Sequence, residues 1–243
     1  MEAKPKTSLV GAKAQTAGVD AKPHPAERGQ TNTVDRRQAI LDAALTEFTA
    51  HGVAGASIDA IRRRSGASVG SIYHHFADKD AIAGALYLEG LRDYQQGFLA
   101  ALEEAATTRE GIEAGVHHHL GWIAQRRELA RFLLLGRDAR TVVATERPLR
   151  ELNRRFFAEV SNWMRPRIER GEVRALAPEL QTALWIGPSQ DVARHWLAGR
   201  TRGSLIDAAP VLADAAWRCT SIGVIRPLKS SHRSPKTWCA SSR

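Results

Sequence analysis

Ser57 and Ser68 each stand at the head of a short run that can form a helix. Each offers a side-chain oxygen to the unpaired N–H groups of a helix start. Between the two runs lie Gly66 and Ala67. Gly66 is free to take the left-handed conformation that ends a helix. Ile58, Ile61, Ala67 and Ile72 give the two runs a common apolar side. Residues 57–76 therefore read as a helix-turn-helix, whose second helix lies in a DNA major groove. The chemistry this implies is recognition. Two capped helix starts present N–H groups and a positive dipole end to phosphate.

A second cluster, His117-His118-His119, could suggest metal or acid–base chemistry. On a helix, adjacent residues point about 100° apart, so three consecutive histidines cannot share one ion. Glu113 lies four before His117 and completes one pair, with no third ligand in view. No P-loop or G-x-G-x-x-G occurs. Cys219 and Cys239 show no metal spacing. No catalytic residue, metal or cofactor is assigned, and a helical enzyme using the histidines is the weakest of the readings considered.

These residues must be held by helices. The 243-residue chain carries a formal charge of +9, but the charge is unevenly spread. From Asp35 to Asp80 basic and acidic residues are equal in number, whereas from Arg218 onward there are only basic ones. The total charge is therefore no argument for DNA; the motif is. No run approaches the roughly 18–20 apolar residues of a membrane span. The first residues have no apolar core of a signal peptide. Both observations imply a cytoplasmic protein without a membrane partner.

Apolar spacing predicts a first helix over Val34–His51 and a fourth from near Asp78 past Leu99. Ile112, Val116, Leu120 and Ile123 form one stripe; Leu149, Leu152, Phe156, Val160 and Trp163 form another, in a helix opened by Pro148 and kinked or ended at Pro166. Leu180–Leu197 reads as a helix interrupted at Gly187-Pro188, and Leu205–Ile222 as the last. Period-two alternation is sparse, so no sheet is expected.

Several fragments occur in the order and spacing of one family. They are Ala39-Ile40-Leu41-Asp42-Ala43-Ala44, Glu47-Phe48, His51-Gly52, Ser57-Ile58-Asp59-Ala60-Ile61, Gly66 to Phe76, and Asp78-Lys79-Asp80-Ala81-Ile82. Over about residues 35–86 the chain resembles the TetR-type bacterial transcription regulators. It departs from them at Arg62, where the family has a small residue, and at Ala60, where an acid is common. The resemblance implies that Tyr73, His74 and Lys79 touch the DNA backbone. Base reading falls to Val69, Gly70 and Ser71, with His74 as a further candidate. Val69 suits a thymine methyl, Ser71 can donate or accept, and Gly70 permits close approach. Arg62, Arg63 and Arg64 suit either phosphate or solvent.

The resemblance also implies a small-molecule site in the second half, for which His118, Trp122, Phe132, Phe156, Trp163 and Trp185 are the candidate lining residues. An apolar cavity is expected near Trp122 and Phe156, with Gly115, Gly121 and Gly187 loosening the packing. The last two helices would form a homodimer that presents two recognition helices to a palindrome. The expected architecture is all-α: a disordered N-terminal extension (1–34), a three-helix DNA-binding domain (35–80), a long joining helix, a helical ligand-binding and dimerisation domain (81–222) and a disordered basic tail (223–243). The implied function is a repressor released from double-stranded DNA by a small apolar effector of unknown identity. The alternative is an activator or architectural DNA binder without a ligand.

Overall fold

The computed structural model describes residues 25–136 and 139–222, with side chains over 35–136 and 145–222. The expected basic tail and the first part of the N-terminal extension lie outside the described residues. The described chain is all-helical, as the apolar spacing requires. Its elements are α1 (Pro25–Gly55), α2 (Ile58–Ser65), α3 (Val69–His75), α4 (Lys79–Glu103), α5 (Thr108–Gln125), α6 (Arg127–Leu135), α7 (Ala139–Glu169), α8 (Pro178–Trp185), α9 (Gly187–Leu197) and α10 (Leu205–Thr220). Among the described residues the only β-type pairing is an isolated bridge, Val173 to Ser221. It ties the end of α10 to the loop after α7, helped by the Arg174 N–H donating to the Thr220 carbonyl at 2.8 Å.

Local signals explain most boundaries. Gly52 takes φ +69° and breaks α1 near where His51-Gly52 marks the stop, and Gly66 takes φ +65° and ends α2. Asp78 caps α4 by accepting the Ala81 N–H at 2.7 Å. Thr107 and Glu110 cap α5 reciprocally.

Two expectations need correction. α1 begins at Pro25, not Val34, so residues 25–34 are helical where a disordered segment is expected. α7 begins at Ala139, and Pro148 lies inside it; packing outweighs the lost backbone hydrogen bond. Pro166 also lies inside α7, which ends within a turn of it at Glu169. Residues 127–135 form a separate helix, α6, with no Gly or Pro to announce the break: Arg126 (φ −114°, ψ 47°) leaves the helical region by itself.

The core is continuous from end to end. In the N-terminal helices it is built from Ile40, Leu41, Phe48, Ile61, Ile72 and Ile82, all nearly fully buried. In the second half the α5 stripe Ile112, Val116, Leu120 and Ile123 is the axis, each at 1% exposure or less. α10 packs on α5, and α7 on α4. α4 belongs to both parts and joins them.

Candidate functional site

α2 and α3 present the first candidate surface. Ser57 accepts the Ala60 N–H and Ser68 the Ser71 N–H, both at 3.1 Å. Each such cap stabilises its helix by about 1 kcal/mol. Ile72 and Phe76 turn inward, so α3 is anchored. Its other face is bare: Val69 is 51% and Tyr73 53% exposed, flanked by exposed Gly70 and His74 and half-buried Ser71.

The arginines of α2 are mostly committed. Arg62 Nε donates to Asp59 at 2.9 Å, Arg63 also pairs with Asp59, and Arg64 Nε donates to Glu47 at 2.9 Å. Arg62, in place of the family's small residue, stays half-exposed, so its stem lies at the surface and not in the helix contact. Lys79 has a structural duty that the motif did not suggest. Its ammonium donates to the Ala54 carbonyl at 2.9 Å and the Ala56 carbonyl at 2.7 Å, closing the corner after α1. Only one of its three N–H bonds is left for a phosphate.

Arg36 and Arg37 carry no such motif signal. Arg36 donates to the Gly66 carbonyl at 3.3 Å, the turn of the helix-turn-helix itself. Arg37 pairs with Glu89 of α4 and lies over the Phe76 ring, 5.3 Å from its centroid. The pair raises the Arg37 pKa, chiefly through the Glu89 hydrogen bond.

The second half holds apolar hollows on either side of Tyr94 and Ile186. One, about 220 Å³, is lined by Phe98, Phe156, Phe157 and Trp185 among others. The other, about 210 Å³, is lined by Tyr87, His119, Trp122 and Leu133. A third of about 390 Å³ adjoins the first along α7 and α8. The polar groups in the walls are mostly paired inside the protein. Gln95 Nε2 donates to Asn153 at 2.9 Å, Tyr94 Oη meets His119 Nδ1 at 2.9 Å, and Thr182 Oγ1 donates to the Pro178 carbonyl at 2.9 Å. Burial raises the Tyr94 hydroxyl and lowers His119 to about 4, with neighbouring His118 adding a smaller push.

Of the six expected lining residues, Trp122, Phe156 and Trp185 face these hollows. His118, Phe132 and Trp163 are packed instead. His118 fills the space over Gly97 and shares a hydrogen bond with the Tyr94 carbonyl at 2.9 Å. Trp163 lies on Gly111 and donates to the Leu102 carbonyl at 3.0 Å. Phe132 stacks on Phe48 of α1, ring centroids 5.9 Å apart, at the junction of the two halves. Gly115 does not loosen the bundle: Trp185 and Phe98 fill its place, while Gly121 and Gly187 face open space. The three histidines of 117–119 share no ligand. His117 is exposed, and among the described residues no cluster of three or more His, Cys, Asp or Glu could hold a metal. No described helix is long and apolar enough to cross a membrane.

The bacterial regulatory protein family named for tetR matches residues 40–86, the segment that holds the capped pair of helices and the start of α4. Residues 40–86 are a TetR-type helix-turn-helix. Among curated proteins the chain is similar to the HTH-type transcriptional regulator BetI of Agrobacterium fabrum, at 34% identity over 34% of this chain and 40% of that protein. It is also similar to the A-factor receptor protein of Streptomyces griseus, at 33% identity over 45% of this chain and 47% of that protein. The chain spans about half the length of the curated relatives it matches.

Similarity in fold extends further. FadR of Bacillus subtilis, solved in complex with stearoyl-CoA, superposes with TM-score 0.65 at 19% identity, over 74% of this chain and 96% of that one. FadR of Bacillus halodurans gives TM-score 0.66 at 19% identity, over 79% and 96%. At that identity the likeness establishes the fold: a TetR-type head on a larger helical body.

Proposed function

We propose that the chain is a dimeric transcription regulator that binds a palindromic operator through the bare face of α3 and is released by a small, mostly apolar effector. The observation that carries the reading is the exposed Val69–Tyr73 face on a helix anchored by Ile72 and Phe76 and capped by Ser68. Ser57, Ser68, Tyr73, His74 and the remaining N–H of Lys79 are suited to phosphate. Val69, Gly70 and Ser71 are suited to base edges. Exposed Leu180, Ile206 and Val211 on α8 and α10 support the last helices as the place where two copies meet. The hollows around Trp185 and Trp122 support an effector site, and repression follows if an occupied body holds the two heads out of register with successive grooves, about 34 Å apart.

The test is selection of bound sequences from random duplex DNA by the full chain. A two-fold symmetric consensus supports the reading. Binding that stays indifferent to sequence at moderate salt leaves an architectural role in its place. The curated relatives it matches carry the names of regulators and a receptor, which supports a non-enzymatic role.

A further inference from the structure

Gln181 is the one side chain among the described residues that is buried with both amide atoms, Nε2 and Oε1, lacking a hydrogen-bond partner. It is 9% exposed and lines the hollow of about 390 Å³ between α7 and α8. Leaving a buried donor or acceptor unpaired is costly, so native proteins rarely keep two on one residue without a use for them. That hollow shares the wall of Phe157, Val160, Thr182 and Trp185 with the apolar cavity of about 220 Å³. In the shared wall Thr182 is already bonded to Pro178, and beyond it Gln95 is bonded to Asn153. Among the polar side chains lining the two hollows, Gln181 is the one whose polar atoms are both fully buried and unpaired, at one end of an aromatic surface.

Charge is absent from its depth. The ionic side chains on its border are Arg165 and Glu169, both solvent-exposed and of opposite sign. Neither a buried cation nor a buried anion waits for an ionic ligand, and an ion brought into such a site would lose its hydration without compensation. A primary amide has one acceptor and two donors, and the group that matches it carries a donor and an acceptor side by side.

We propose that this groove binds an uncharged, largely apolar molecule bearing an amide-like head, with Gln181 turning toward the head group as the specificity-determining contact. This rests on the reading of the second half as an effector site and names the class of effector. The apolar body lies against Trp185, Phe156 and Phe98. Rotation of the Gln181 side chain about its own torsions pairs an amide that is otherwise unpaired, so recognition relieves a cost already present in the empty protein.

The experiment is calorimetric titration of the full chain, without DNA, using para-butylbenzamide, para-butylbenzoate and para-butylbenzylammonium. These probes share a body and differ in the charge of the head. The amide is expected to bind at least tenfold more tightly than either ion. Gln181→Leu is expected to reduce amide affinity at least tenfold while butylbenzene binds the variant as well as the unmodified protein or better. Equal binding of either ion, an unchanged amide affinity in the variant, or no binding of any probe at millimolar concentration overturns the proposal. Should Gln181→Leu not fold, Gln181→Met replaces it and is read by the same criteria, beside the ranking on the unmodified protein. Because no DNA is present, failure here leaves the DNA-binding reading standing, and failure of operator selection leaves this result standing.

Discussion

Acid should weaken this protein through His119. The residue is 4% exposed, its Nδ1 meets Tyr94 Oη, and Gln190 lies alongside it. No acidic side chain among these neighbours offsets a charge. Burial first, and His118 second, lower its pKa from the usual 6.5 to about 4. The unfolded chain therefore takes up a proton near pH 6.5 while the folded one refuses it until about pH 4. The stability tied to neutral His119 is complete above pH 6.5 and is lost as the pH falls through that window. By proton linkage, moving from about pH 7.5 to about pH 5 costs roughly 2 kcal/mol. Replacing His119 by Leu removes the titrating group. The variant should be less stable at neutral pH, because Tyr94 loses its partner. Its own loss on acidification should be smaller than that of the unmodified protein by about 2 kcal/mol. Urea unfolding at both pH values, at one fixed protein concentration, measures this difference. His118 and His75 also sit below the usual value but are present in both proteins, so they largely cancel. Equal acid losses in the two proteins would refute the account of His119 as a buried neutral base.

Three further outcomes are expected. Lys79→Ala should lower stability by about 1 kcal/mol, because the Ala54 and Ala56 carbonyls lose their donor, and should reduce the salt slope of DNA binding by about one; an unchanged slope assigns Lys79 wholly to the corner after α1. Val211→Asp should leave the fold intact, since Val211 is 73% exposed, and should yield monomers in sedimentation; a monomeric unmodified protein at micromolar concentration removes the dimer reading. Gly111→Ala should cost about 1–3 kcal/mol, because a Cβ there would stand 2.2 Å from Trp163 Cζ2; an unchanged melting temperature would show that Trp163 moves freely.

The head was legible because its signals are local. Ser57, Ser68, Gly66 and Gly52 act on backbone within a few residues, and their effects need no tertiary partner. The bare face of α3 followed from the helical period that buries Ile72 and Phe76. What escaped was the work of long side chains across space. Lys79 suits phosphate by type, and only the fold brings the Ala54 and Ala56 carbonyls to it. Arg36 reaches the Gly66 carbonyl from 30 residues away. The body was legible as stripes but not as a cavity, because aromatic residues line or fill space according to what faces them. Trp163 and Trp185 each lie against a glycine, Gly111 and Gly115, that no local rule pairs with them. The Thr107–Glu110 capping box is as local as those signals, a T-x-x-E run at the start of α5, and it went unread.

A regulator of the proposed kind needs a cavity and a recognition helix that share rigid parts, because an effector moves an equilibrium only through contacts that differ between states. α4 meets that need within one helix. Its first turns bury Ile82, Ala83 and Leu86 in the core of the head and carry Glu89, the partner of Arg37. Its later turns place Leu91, Tyr94 and Phe98 in the cavity walls. A ligand that pushes on Tyr94 or Phe98 therefore leans on the same rod that holds α1. α6 supplies a second link: Leu133 lines the Trp122 hollow while Phe132, its neighbour, stacks on Phe48 of α1. Arg37 joins this network to the reading surface, since it bridges Glu89 and the Phe76 ring at the end of α3. Arg37 and Phe132, which sequence alone could not place, thus both lie where α1 meets α4 and α6. Their types are ordinary, and only the fold gives them that position.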